Sequence, residues 1–172
     1  FKWFSGYQVR IRGGKEVKPN TLPWIAAIFS EDASGTIHFC SAVQISRRHI
    51  LTAAHCVVNT NKLQPTECKS HRPFNTKQRI LPNLTYELRN KLDVYVTSTH
   101  TGRLHFGNRS DLVKMEIEGL PHVHEGFGLC TENDLALIEL KSSVPREVGS
   151  PICMRENEEL ADMLTSAGYG KD

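Results

Sequence analysis

The stretch Ile50-Leu51-Thr52-Ala53-Ala54-His55-Cys56 gives the strongest indication of the fold. Its first residues form an apolar β-type run, and the small side chains of Ala53 and Ala54 allow a tight turn that holds His55. Similar short runs occur along the chain: Trp24–Phe29, Phe39–Ile45, Val94–Thr97, Leu112–Ile117 and Leu135–Leu140. Helix signals are few, a single turn at 53–57 and a short amphipathic segment at 158–164. Short strands with scarce helix predict an all-β fold, either an antiparallel barrel or a sandwich.

The composition excludes several classes of protein. The chain has 172 residues, of which 39% are hydrophobic and 23% charged, and 21 Lys and Arg against 19 Asp and Glu leave a net charge of +2. This balance predicts a folded chain and argues against a domain that neutralises nucleic-acid phosphates. The longest apolar run, Trp24–Phe29, has six residues, against the ~20 that a membrane-spanning helix requires. We therefore expect no nucleic-acid partner and no membrane span.

The cysteines and glycosylation signals indicate an extracellular protein. None of the five cysteines stands in Cys-x-x-Cys spacing, so disulfides are favoured over a zinc ribbon or a redox pair. Asn83 and Asn108 each begin an Asn-x-Ser/Thr sequon, which is consistent with export through an oxidising compartment. Residue 1 is Phe and no secretion signal precedes Arg10, so we expect this chain to follow a further N-terminal segment.

A basic segment interrupts the strand pattern between Val57 and Leu92. These 36 residues hold seven Lys or Arg and two Asp or Glu, with three prolines and little periodicity. They are typical of an exposed insertion. Its basic residues either keep a solvated loop soluble or bind an acidic partner, and the sequence leaves both interpretations open.

Three motifs resemble those of one protein family. Leu51–Cys56, preceded by Cys40, resembles the histidine motif of the trypsin and chymotrypsin family of serine endopeptidases. Glu132-Asn133-Asp134-Leu135-Ala136-Leu137-Ile138 resembles the family's aspartate motif, and Arg10-Ile11-Arg12-Gly13-Gly14 followed by Leu22-Pro23-Trp24 resembles its activation junction and first strand. The resemblance implies the two-barrel fold of that family. This chain would supply its N-terminal six-stranded antiparallel β-barrel and the connector to a second barrel that is largely absent here.

The resemblance also implies roles for these residues. His55 would be the general base, and Asp134, a buried carboxylate at the start of a strand, would orient its imidazole. Cleavage after Arg10 would free Ile11 for an inward ion pair, although Arg12 replaces the family's small aliphatic residue. A disulfide between Cys40 and Cys56 would fix the turn of His55. Read from the residues alone, His55 could be a structural histidine, Asp134 could merely begin a strand, and residues 10–14 could be an ordinary loop.

The nucleophile of the family is not among the 172 residues, because no Gly-Asp-Ser-Gly-Gly segment occurs. The family's aspartate-to-serine interval of roughly 93 residues would place the serine near residue ~227. Ala167-Gly168-Tyr169-Gly170 resembles the opening of the second barrel. We therefore expect a propeptide remnant at 1–10, the first barrel at 11–140 with the insertion at 57–92, a connector at 141–164 and the start of a second barrel at 165–172. This chain alone should not hydrolyse peptides.

The insertion lengthens the interval between the two motif residues. His55 and Asp134 are 79 positions apart, against roughly 45 in the family. We propose a disulfide between Cys68, inside the insertion, and Cys130. Cys153 matches a position that in many relatives ties the connector to the propeptide, and its partner is not among these residues, so we expect it to be unpaired here.

We expect neither a cofactor nor a metal. His122 and His124 would share one face of an extended segment, and His100 or His105 could join them, but nothing fixes the spacing of further ligands. Two functions remain open. The first is a secreted serine endopeptidase with protein or peptide substrates, activated by another protease. The alternative is a noncatalytic homologue that acts as a secreted binding module, which Arg12 and the insertion favour and the intact His55 and Asp134 do not.

Overall fold

A computed structural model of the chain describes residues 17–18, 21–31, 34–58, 88–97, 112–125, 127, 133–154 and 164–169. These residues form an all-β fold whose strand pairs are all antiparallel, as the strand pattern predicts. The strands are β1 (Ile25–Glu31), β2 (Ile37–Gln44), β3 (His49–Thr52), β4 (Asn90–Thr97), β5 (Leu112–Met115), β6 (His122–Val123) and β7 (Ala136–Glu139), and the one short 3-10 helix in this part of the chain is Ala54–Cys56. None of the helices described could span a bilayer.

The strands follow one another in the order β5-β4-β1-β2-β3-β7-β6 within a single sheet. The sheet closes on itself just past β5, where Ile117 forms a bridge with Leu140 and the Glu118 amide donates to the Glu139 carbonyl at 2.8 Å. After a turn at Gly119, whose φ of +63° suits a residue without a side chain, β6 pairs with β7 again. The predicted six-stranded barrel is confirmed, with β5 and β6 as two parts of one interrupted strand.

Alternate side chains of the strands fill the interior of the barrel. The fully buried members of this core include Ala26, Ile28, Ile50, Val94, Val96, Ile138 and Leu140. The nearly continuous apolar run Leu135–Leu140 is typical of a strand covered on both faces. The strand is instead buried on one face only, because Leu135 is 47% exposed and Leu137 is half-buried. The reason is the two-residue period of a strand, which turns every second side chain away from a barrel interior.

An aromatic cluster covers part of the outer face. The ring centroid of Phe29 lies 5.0 Å from that of Phe39 and 5.4 Å from that of Tyr95, and Phe39 lies 5.7 Å from Tyr169. Tyr169 comes from the end of the described chain, so this segment packs across β1 and β2. Its backbone is fixed by Ser41, whose hydroxyl accepts from the Tyr169 amide at 2.7 Å and donates to the Tyr169 carbonyl at 3.2 Å.

The barrel includes both ends of the expected insertion. Val57 and Val58 are each 1% exposed, Val58 forms a bridge with Leu88, and β4 already begins at Asn90. These two valines belong to the core, although the sequence pattern assigns them to the basic segment that begins at Val57. The intervening residues 59–87 lie outside the described part of the chain.

Candidate active site

The turn that carries His55 is built at the end of β3. Ala53 is extended, with φ −77° and ψ 142°, and the chain then makes one 3-10 turn through Ala54–Cys56. Ala54 is completely buried and Cys56 is 3% exposed, so the small side chain of Ala54 lets the turn lie directly on the barrel core. A disulfide joins Cys56 to Cys40 on β2, 16 positions earlier. In the chain-entropy model, closing a loop of this length contributes about 3 kcal/mol of stability.

His55 and Asp134 meet through two hydrogen bonds. The His55 ring nitrogen Nδ1 lies 2.6 Å from Asp134 Oδ2, and the backbone amide of His55 donates to Asp134 Oδ1 at 2.8 Å. One carboxylate oxygen therefore holds the side chain of His55 and the other holds its backbone. The two contacts together fix the position and the orientation of the imidazole relative to the carboxylate.

The contact with Asp134 determines the tautomer of the imidazole. An ionised carboxylate only accepts hydrogen bonds, so Nδ1 carries the proton and Nε2 of the neutral ring has a free lone pair. Nε2 lies 3.5 Å from Cys56 Sγ, a sulfur in a disulfide, which has no proton to give. Half of the His55 side chain is exposed, whereas 21% of the Asp134 side chain is exposed, so the imidazole is more open to solvent than the carboxylate that orients it.

The register between β3 and β7 explains how residues so distant in sequence come together. Thr52, the last residue of β3, pairs with Ala136, the first residue of β7. His55 follows Thr52 and Asp134 precedes Ala136, so both side chains leave the sheet at the same end of the barrel. Since Asp134 stands at this rim and not within the strand, it is half-buried, where the sequence predicts a buried carboxylate.

The residue before Asp134 has an uncommon backbone conformation. Asn133 has φ +50°, in the left-handed region that Asn adopts more readily than most residues. The amide of Leu135 donates to the Asn133 carbonyl at 2.7 Å, and the amide of His124 then donates to the Leu135 carbonyl at 2.9 Å. This compact bend lifts Asp134 out of the line of β7 and toward His55.

Two further side chains hold the turn of His55, and sequence reasoning missed both. Ser30, 3% exposed, donates from its hydroxyl to the Cys56 carbonyl at 3.1 Å. Arg89 donates to two carbonyls, from Nε to that of Val58 and from Nη2 to that of His55, each at 3.1 Å. Ser30 stands in an apolar strand and Arg89 in the basic segment, so neither residue carries a local signal of this role.

The other site residues proposed from the sequence are placed as follows. Cys153 is described, and it is an exposed cysteine outside any disulfide. His122 and His124 are exposed. Several residues lie outside the described part of the chain, and the predictions on them stay predictions: Arg10, Ile11, Arg12, Cys68, Cys130, Asn83, Asn108, His100 and His105.

Potential metal ligands come together at one place in the part of the chain that the structure describes. Cys40, His55 and Cys56 have ligand atoms within 4.8 Å of one another. The two sulfurs are bonded to each other, and thiolate sulfur is the form that binds metals. This cluster is therefore the disulfide-braced turn of His55.

Comparisons with known proteins identify relatives of this chain. The family model described as Trypsin matches residues 11–172. Urokinase-type plasminogen activator of Gallus gallus is 34% identical over 119 residues, which cover 66% of this chain and 26% of that protein. CLIP domain-containing serine protease HP8 of Bombyx mori is 26% identical over 172 residues, which cover 94% of this chain and 41% of that protein. The chain thus spans between about a quarter and two fifths of the length of these two relatives.

A solved structure described as "Structure of GrC" has the same fold. It superposes with a TM-score of 0.56 at 17% sequence identity, over 87% of this chain and 51% of that chain. At this identity the likeness concerns the fold alone. It agrees with the barrel formed by β1 to β7.

Proposed function

The chain belongs to the trypsin family of serine proteases, and from this premise we propose that it supplies the general base and the orienting carboxylate of a serine endopeptidase that cleaves peptide bonds by acyl transfer. The observation that carries the proposal is the pair of hydrogen bonds from His55 to Asp134, at 2.6 Å from the ring and 2.8 Å from the backbone. A histidine that served only to fill space would need neither a fixed tautomer nor a carboxylate that holds both its ring and its amide.

His55 moves a proton twice in the proposed reaction. Nε2 takes the proton of a serine hydroxyl as the serine oxygen attacks the scissile carbonyl, and the ring becomes an imidazolium. Asp134 stays ionised and stabilises that positive charge through the Nδ1 contact. The imidazolium then returns the proton to the leaving amine, and water repeats the cycle to release the acyl group.

The nucleophile and the oxyanion hole are the parts that these 172 residues do not provide, since they contain no Gly-Asp-Ser-Gly-Gly segment. The proposal therefore requires that the protein carrying His55 and Asp134 also carries such a segment. For the 172-residue chain alone, we propose no turnover of peptide or ester substrates, because a base and a carboxylate cannot form an acyl-enzyme without a nucleophile.

The family also supports proposals about the setting of the reaction. We propose protein or peptide substrates, an extracellular location, and activation by another protease that cuts between Arg10 and Ile11. The exposed Cys153 would pair with a cysteine outside the present sequence. The basic insertion would be available to an acidic partner.

A noncatalytic homologue is the second candidate. Two features of the sequence favour this candidate. The first is Arg12, a cation directly after the proposed new N-terminus, and the second is the long basic insertion. In that case the barrel would serve as a secreted binding module, and the His55–Asp134 pair would be inherited without use.

Labelling with a fluorophosphonate separates the two candidates, because the reagent reacts only with an activated serine. The experiment uses the full-length protein after activation, with His55→Ala as the test variant. His49→Ala is the matched control, since the His49 ring contacts Ser46 Oγ at 2.7 Å and takes no part in the pair with Asp134.

Wild type and the control should label and hydrolyse peptide substrates, whereas His55→Ala should lower kcat/KM by at least about 10⁴-fold. A folded, activated wild-type protein that neither labels nor hydrolyses would establish the noncatalytic alternative.

A further inference from the structure

Arg89 lies where the chain returns from the insertion, directly after the bridge between Val58 and Leu88. It donates three hydrogen bonds to the turn of His55: from its backbone amide to the Val57 carbonyl at 2.8 Å, from Nε to the Val58 carbonyl at 3.1 Å, and from Nη2 to the His55 carbonyl at 3.1 Å. We propose that Arg89 is a positioning residue that holds His55 in place against Asp134. Its importance for catalysis rests on the proposed function, whereas the positioning itself does not.

The carbonyls of this turn need partners because the turn is too short to supply them. A 3-10 helix of three residues leaves its last carbonyls without intrahelical donors. The Ala54 carbonyl accepts from the amides of Val57 and Val58, and the Cys56 carbonyl accepts from Ser30 Oγ. The carbonyls of His55, Val57 and Val58 all accept from Arg89. Removing the Arg89 side chain would remove the donors named here from two of these five carbonyls, those of His55 and Val58.

Both backbone polar groups of His55 are hydrogen-bonded to a side chain. Its amide donates to Asp134 Oδ1 at 2.8 Å, and its carbonyl accepts from Arg89 Nη2 at 3.1 Å. These two contacts oppose rotation of the peptide groups on either side of the residue. The Nδ1 contact with Asp134 at 2.6 Å depends on that backbone position, because the imidazole has only two side-chain torsions with which to compensate.

The geometry requires an arginine and not merely a cation. The guanidinium holds Nε and Nη2 in one plane at a fixed separation, so it can donate to two carbonyls three positions apart in the chain. A lysine at residue 89 would keep the charge but present a single ammonium, which would reach one of the two carbonyls at a time. The lysine variant therefore separates the effect of the positive charge from the effect of the two simultaneous hydrogen bonds.

The test follows the Nδ1 proton of His55 by NMR in the full-length protein labelled with ¹⁵N-histidine. Hydrogen bonding to a carboxylate shifts this proton to low field and slows its exchange with water. The variants are Arg89→Met and Arg89→Lys. Arg48→Met is the matched control, because Arg48 also donates from Nε to a backbone carbonyl, that of Leu140 at 2.9 Å, and pairs with Glu139 at 3.0 Å, away from His55.

Arg89→Met should raise the exchange rate of the His55 proton about tenfold or more, because a small displacement disrupts a contact of this length. Arg89→Lys should give an intermediate rate, and Arg48→Met should give the wild-type rate. The ring resonances of His49, which contacts Ser46, should stay unchanged in both Arg89 variants and so report that the barrel is intact. If Arg89→Met prevents folding, Arg89→Lys decides alone.

Two results would overturn the inference: a wild-type exchange rate in either Arg89 variant, or an equal acceleration in Arg48→Met, which would indicate general loosening of the barrel. The measurement needs no nucleophile, so its failure leaves the protease proposal standing, and an absence of fluorophosphonate labelling leaves the positioning role standing. In an active full-length protein, Arg89→Met should lower kcat about tenfold and change KM by less than about twofold, since it displaces the base and leaves substrate contacts alone.

Discussion

Replacing Gln44 by leucine should stabilise the protein. Gln44 ends β2 and is 1% exposed. Its backbone is fully used, since its amide donates to the Trp24 carbonyl at 2.7 Å and its carbonyl accepts from the Ile152 amide at 2.9 Å. Its side-chain amide is different: neither Nε2 nor Oε1 has a hydrogen-bond partner among the residues that the structure describes.

The magnitude follows from the cost of burying such a group. A buried polar group without a partner costs about 1–3 kcal/mol, and an apolar replacement of the same shape removes that cost. Leucine has a volume close to that of glutamine, so little new cavity or overlap should arise. We expect Gln44→Leu to raise the free energy of unfolding by about 1–2 kcal/mol, which for a chain of this size raises Tm by roughly 2–8 °C.

Urea denaturation of the chain measures this change, with the m-value required to stay constant so that the comparison concerns stability alone. Thr52→Val is the matched control, because it also makes a buried polar side chain apolar. The Thr52 hydroxyl is bonded, however, and donates to the Ser41 carbonyl at 3.1 Å. The control should therefore lose about 1 kcal/mol. A loss of stability in Gln44→Leu as large as that in Thr52→Val would refute the reasoning, since it would mean that the Gln44 amide is satisfied.

Three further predictions concern the site and its surroundings. Asn133→Val should lower the free energy of unfolding by about 1–2 kcal/mol because the residue has φ +50°, whereas Asn133→Gly should be near neutral in the same denaturation assay. Asp134→Asn should keep the fold but lower kcat of an active full-length protein about 10⁴-fold, because an amide favours the wrong tautomer of His55, as hydrolysis assays would report. Gly168→Ala would place a Cβ 2.9 Å from Ser41 Oγ and should lower the free energy of unfolding by about 1–3 kcal/mol. Adding Ser41→Gly should recover part of that loss, and a double-mutant cycle measures how much.

The sequence predicted the parts of the fold that depend on local pattern. The short apolar runs identified the strands because a two-residue period is visible within a few residues, and the small residues around His55 indicated the turn. The pairing of His55 with Asp134 entered through motif resemblance. No periodicity in the chain reveals that Thr52 and Ala136 stand opposite each other, since register depends on contacts between distant segments.

The sequence could not predict which side chains satisfy the backbone of the turn. Ser30 looks like a small residue in a strand, and Arg89 looks like one of many basic residues in an insertion. Their roles follow from the three-dimensional count of donors and acceptors, which requires coordinates. The same holds for Gln44, because a polar residue at the end of an apolar run is more often exposed than buried without a partner.

The geometry of the pair is independent of the length of the insertion that separates its members. The chain leaves the barrel after Val58 and returns at Leu88, and these two residues form a bridge with each other, so the 29 residues between them begin and end at one point. The cost of closing a loop grows only with the logarithm of its length, about 0.6 kcal/mol for each doubling. A loop of this size therefore costs about 2 kcal/mol more than a tight turn, and it leaves the register of β3 with β7 untouched. Arg89 stands at the closing point and reaches the His55 carbonyl, so a displacement of Leu88 and Arg89 would be passed to the His55–Asp134 pair through this residue.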